Sequence, residues 1–97
     1  MITLGSILSK LREMKPVIKE RYKVSNLELF GSYVKKTENS NSDIDILVEF
    51  EETADLFDLI RLSQFLEKEL NSKVDIIPKQ SLKEELKEEV FKEAIAI

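Results

Sequence analysis

Two strongly β-prone runs constrain this chain more than any other feature: Asp43-Ile44-Asp45-Ile46-Leu47-Val48-Glu49-Phe50, and Val74-Asp75-Ile76-Ile77 closed by Pro78. Between them, from Asp55 to about Leu70, the residues Leu56, Leu59, Ile60, Phe65, Leu66 and Leu70 recur on a helical period. A third strand reads in the alternation Ser25-Asn26-Leu27-Glu28-Leu29-Phe30 and ends at Gly31. Residues 35–42 are wholly polar and read as a loop. Towards the N-terminus, Leu4, Ile7, Leu8, Leu11 and Met14 predict a helix over residues 3–14 with Thr3 as its cap. Pro16 is expected to break that helix or to start a second one running to about Tyr22. A last helix is expected from Ser81 to about Ile95, with Leu82, Leu86, Val90, Phe91 and Ala94 on one side. The order ααβ(loop)βαβα predicts an α/β (α+β) fold, a small mixed three-stranded sheet flanked by helices. Ninety-seven residues are room for one domain, 1–97, with a modest core.

Composition removes several chemistries. With no His and no Cys there is no thiol nucleophile, no imidazole base, no Cys/His zinc site and no disulfide. A net charge of −4 disfavours a nucleic-acid surface. No stretch approaches the ~20 apolar residues that span a bilayer, so no membrane partner and a cytoplasmic location are expected.

The carboxylates left over are oddly placed. Only five of the nineteen acids are Asp, and three of those five sit in strand signals, where Asp is depleted. Side chains alternate across a strand, so Asp43 and Asp45 share one face, their Cα atoms roughly 6.5 Å apart. Two carboxylates on one face repel, unless a divalent cation lies between them. A hard cation such as Mg²⁺ suits oxygen ligands and completes its shell with substrate phosphates. If the strand of Asp75 is adjacent, three carboxylates converge, the ligand set of a two-metal phosphoryl or nucleotidyl transfer centre. A bare Asp-x-Asp occurs often by chance as a solvated turn. Here Gly31-Ser32 stands upstream at a strand end, where a Gly lets backbone approach a phosphate and the Ser hydroxyl adds a donor.

The combination Gly-Ser-x10-Asp-x-Asp, within Leu27 to Pro78, resembles the minimal nucleotidyltransferase family, the small MntA-type antitoxins of the polymerase-β-like superfamily. The resemblance implies a polymerase-β-like nucleotidyltransferase core. It implies that Gly31 and Ser32 hold the triphosphate of ATP, with Lys35 supplying positive charge. Asp43 and Asp45 would bind two Mg²⁺ ions, with Asp75 completing the site and helping to deprotonate the acceptor. It further implies transfer of AMP to a tyrosine hydroxyl of a HEPN-domain toxin partner. Where the family often has Ala-Arg-Gly, this chain has Val34-Lys35-Lys36. Other readings are an antitoxin acting by binding alone, and a small-molecule nucleotidyltransferase of the antibiotic-modifying type. So small a chain is expected to borrow walls for its substrates from a partner or from a second copy of itself.

The remaining features read more plainly. Ser42 serves a turn, Lys36 is solvated, and Tyr33 packs at a helix start. Phe57, Phe65 and Phe91 fall at core spacings. In the run Lys83 to Glu89 the i,i+4 pairs Glu84/Glu88 and Lys83/Lys87 are like-signed, so that face is expected to gain little from its own charges.

Overall fold

The computed structural model describes residues 3–35 and 43–97. A single 19-residue helix, α1 (Leu4–Tyr22), replaces the two helices expected around Pro16. Ile7, Leu11, Ile18 and Tyr22 are all buried and stay in one helical phase across the proline. Pro16 itself lies on the exposed side, so the carbonyl deprived of its N–H partner can face water. Burial of one continuous apolar stripe outweighs the missing bond. At the N-terminus the cap is reciprocal: the Ser6 N–H donates to Thr3 Oγ1 at 3.2 Å, and the Thr3 N–H donates to Ser6 Oγ at 3.2 Å. Lys23 ends the helix in the left-handed region, at φ 57°.

Strand β1 (Val24–Phe30) follows, then the short helix α2 (Ser32–Lys35). Lys35 is therefore helical; the rest of the polar stretch, with Lys36 and Ser42, lies outside the described residues. Next come β2 (Ile44–Phe50), α3 (Leu56–Leu70) and β3 (Val74–Pro78). The helix expected over 81–95 is instead a 3₁₀ turn (Lys79–Ser81), the shorter helix α4 (Glu84–Glu93) and a two-residue strand, β4 (Ile95–Ala96). β4 pairs with β1, so the sheet has four strands rather than three, in the order β3-β2-β1-β4. β2 runs antiparallel to β1 and parallel to β3, which makes the sheet mixed as expected.

One face of the sheet carries the core. Leu27, Leu29, Ile44, Ile46, Val48 and Val74 are buried together with Ile7, Leu11 and Ile18 of α1 and Leu62, Leu66 and Leu70 of α3. Tyr33 is buried in the same cluster, so packing is its role, and it anchors α2. Of the three aromatics at helical spacing only Phe65 joins the core, packed against it with its ring 5.3 Å from that of Tyr22. Phe57 is 65% exposed and Phe91 43%. Helical phase identified an apolar side of each helix, and the structure uses only part of it. On α4, Lys87 Nζ lies 2.9 Å from Glu84 Oε2, an i,i+3 pair that partly offsets the like-signed i,i+4 neighbours.

The start of α3 is fixed by charge. Asp55 caps it, its Oδ1 accepting the Asp58 N–H at 3.0 Å, while Asp58 Oδ2 accepts the Asp55 N–H at 3.0 Å. Asp58 is the buried charged residue among those described, with Lys23 and Arg61 each 3.9 Å from its carboxylate. The bond from the Asp58 N–H, chiefly, holds the Asp55 carboxyl below its ordinary value. A depressed folded-state value means the cap stabilises at neutral pH and that this contribution is lost as pH falls through that value. Thermal midpoints followed by circular dichroism should therefore fall on acidification below about pH 4. They should fall less steeply in Asp55→Asn, which keeps a capping oxygen without the titration; equal slopes would contradict this.

Candidate active site

Of the three carboxylates predicted to converge, two, Asp45 and Asp75, are brought together on one sheet face. Asp45 lies in β2 directly opposite Asp75 in β3, the two being Cα partners in the parallel register. Adjacent strands lie about 4.8 Å apart and partners in register point the same way, so both side chains leave the face opposite Ile44, Ile46 and Val74. Asp43 immediately precedes β2 rather than lying within it, and it is exposed. The Ile44 N–H donates to the Lys73 carbonyl at 2.9 Å, which holds the entrance of β2 beside that of β3.

In β3, Val74 and Ile76 flank Asp75. The structure places it exposed on the edge strand, with Val74 and Ile76 turned to the core. The apolar neighbours belong to the other face. Asp45 is half-buried.

Gly31 completes the arrangement. It follows Phe30, the antiparallel Cα partner of Asp45, and has φ +84°, a conformation side-chain-bearing residues rarely adopt. A Cβ built there would come within 2.9 Å of Asp45 Cγ and 3.0 Å of Asp45 Cβ. The absent side chain is thus what lets the turn close against the carboxylate. The Val34 N–H donates to the Gly31 carbonyl at 3.1 Å, turning the chain into α2 over the buried ring of Tyr33. Ser32 and Lys35 begin and end this short helix.

The Asp45 and Asp75 carboxylates offer oxygen donors at this end of the sheet, which matches a hard cation such as Mg²⁺. Among the described residues no three acids stand close enough to cage an ion on their own. A cavity of about 430 Å³, lined by Phe50, Asp55, Leu59 and Pro78 among others, opens elsewhere. It sits at the far end of β2, roughly 17 Å along the strand from Asp45, and takes no part in the site. No helix of the described residues is long and apolar enough to cross a membrane.

Known proteins similar to this chain point to one family. Residues 11–97 match the family described as the nucleotidyltransferase domain. The protein adenylyltransferase MntA of Thermococcus cleftensis is 39% identical over 97 residues, covering 100% of this chain and 98% of that protein. Among solved structures, one assigned to the minimal nucleotidyltransferases superposes with a TM-score of 0.85 at 33% identity, covering 99% of this chain and 97% of its own. A second is the tri-AMPylated HEPN toxin of Shewanella oneidensis in complex with MNT antitoxin. It matches with a TM-score of 0.62 at 29% identity, over 90% of this chain and 69% of that one.

Proposed function

The chain belongs to the nucleotidyltransferase domain family, and on that premise we propose that it transfers AMP from ATP to a tyrosine hydroxyl of a HEPN-domain toxin, acting as the antitoxin of the pair. The observation that carries the reading is the register pairing of Asp45 with Asp75, with Gly31 drawn against Asp45 at the same end of the sheet. The family context adds to it, since a homologous adenylyltransferase spans the full chain and a structural neighbour contains an AMPylated HEPN toxin.

In this reading Asp43 and Asp45 would hold two Mg²⁺ ions, and Asp75 would complete the ligand set. Mg²⁺ bound there would neutralise phosphate charge and acidify the acceptor hydroxyl. Gly31 gives the triphosphate close access to backbone, Ser32 donates its hydroxyl to a phosphate oxygen, and Lys35 adds positive charge. The acceptor oxygen forms a bond to the α-phosphorus as the bond from that phosphorus to pyrophosphate breaks. The hydroxyl proton passes to a carboxylate oxygen of Asp75. No covalent enzyme intermediate is required, which suits a chain with neither His nor Cys.

Incubating the protein with a HEPN-domain partner, Mg²⁺ and ATP labelled at the α-phosphate tests the proposal. Label is expected on a partner tyrosine, and chelation of the metal should abolish it. Neutralisation of the partner's activity with no label on it would overturn the catalytic reading in favour of inhibition by binding.

A further inference from the structure

We infer that Glu67 is a positioning residue for Asp75, fixing the start of β3 from the C-terminal end of α3; this rests on the role proposed above for Asp75. Glu67 stands in the last turn of α3, where a negative charge opposes the helix dipole. What it gains in return is three N–H groups of the connection that leads to β3. Its backbone carbonyl accepts the Asn71 N–H, and that of Ser72 at 3.3 Å. Its side chain reaches further, Oε2 accepting the Val74 N–H at 3.1 Å. Asn71 takes the left-handed conformation at φ 49°, so the turn between helix and strand is tight.

Strand geometry explains why the carboxylate is needed. The Lys73 carbonyl turns towards β2, where it accepts the Ile44 N–H. Backbone groups of successive strand residues point to opposite sides, so the Val74 N–H points away from β2. Among the described residues β3 is an edge strand with no neighbour on that side. Val74 is itself buried, so an unpaired N–H there would be costly. Glu67 supplies the acceptor that a further strand would otherwise have provided, one residue before Asp75. The entrance of β3 is thus clamped from both sides, by Ile44 on one and Glu67 on the other. Freed on one side, Asp75 would drift relative to Asp45, and a misplacement of about 1 Å can cost on the order of 100-fold in rate.

Three variants of the full chain separate this role from simple support of the fold. Glu67→Gln keeps an acceptor oxygen at the same reach, Glu67→Asp keeps the charge but withdraws it, and Glu67→Ala removes both. Hydrogen exchange of the Val74 amide, Mn²⁺ affinity in the absence of ATP, and the rate of AMP transfer to a HEPN-domain partner are the readouts. The Ala and Asp variants should show faster Val74 exchange, roughly tenfold weaker Mn²⁺ binding and transfer slowed by about 100-fold. KM for ATP should stay within a few-fold, and the Gln variant should recover most of each property. If the Ala variant does not fold, the order of Gln above Asp decides the matter. Wild-type Mn²⁺ affinity and transfer in the Asp variant, or a Gln variant as impaired as Asp, would overturn the inference. Asp75→Asn is the companion: if it is inactive while the Glu67 variants are intact, only the positioning role fails. Should Asp75→Asn transfer AMP normally, both readings fall.

Discussion

Replacing Asp43 and Asp45 together by Asn should leave a folded protein that transfers no measurable AMP. Asp43 is exposed and Asp45 half-buried, so neither isosteric change opens a cavity in the core. The loss expected is functional: the two negative charges that would hold the cation, which in turn would offset the triphosphate, disappear at the same end of the sheet. Removing one preorganised electrostatic group typically costs 10²–10³-fold, so the pair should cost on the order of 10³-fold or more. The readout is label transferred from ATP to the partner across a series of Mg²⁺ concentrations, beside a thermal melt of each protein. Parallel melts with no transfer support the mechanism. Wild-type transfer by the double variant would end it.

Gly31→Ala should damage both the fold and the site. At φ +84° an alanine is strained by about 1–3 kcal/mol, which for a domain of this size lowers the thermal midpoint by several degrees. Its Cβ would also collide with the Asp45 side chain, down to a Cβ at 3.0 Å that the backbone of β2 holds in place. Either the turn into α2 or the carboxylate must move, and transfer should fall by roughly 100-fold. Because the substituted atom meets Asp45 itself, Gly31→Ala combined with Asp45→Asn should lose little more activity than Asp45→Asn alone. Independent, fully multiplying losses would contradict the contact as the cause.

The site was more legible in the sequence than the scaffold around it. Asp45 and Asp75 stood out because strands rarely carry Asp, and the parallel register sets them on a common face; Asp43 precedes β2, beyond the reach of strand alternation. The apolar periodicity from Asp55 to about Leu70 marked α3 to within a residue. The proline was misleading in α1, because a local rule about one hydrogen bond cannot weigh the tertiary burial of Ile7, Leu11, Ile18 and Tyr22 along one stripe. At the other end, no Gly or Asn marks the end of α4: Ala94 leaves the helix at φ −65° and ψ 141°, and apolar phase alone carried the expected helix on to Ile95. Glu67 could not be singled out, since an acid near a helix end resembles any solvated one. Its partner is a backbone amide, and only the open edge of β3 gives that amide its need.

The pairing of β4 with β1 bears on how the domain assembles. Leu29 and Ile95 are partners drawn from opposite thirds of the chain, and the Lys15 ammonium reaches from α1 to the Ile97 carbonyl at 2.6 Å. On a ribosome, every other strand pairing can form before this one, because its second half is made late. Until then β1 offers an open row of amides and carbonyls, the kind of surface on which one nascent chain recruits another. β4 is too short to add much to stability, yet it covers part of that row. Its contribution is therefore expected in the yield of monomeric protein during synthesis more than in the melting temperature of the finished molecule.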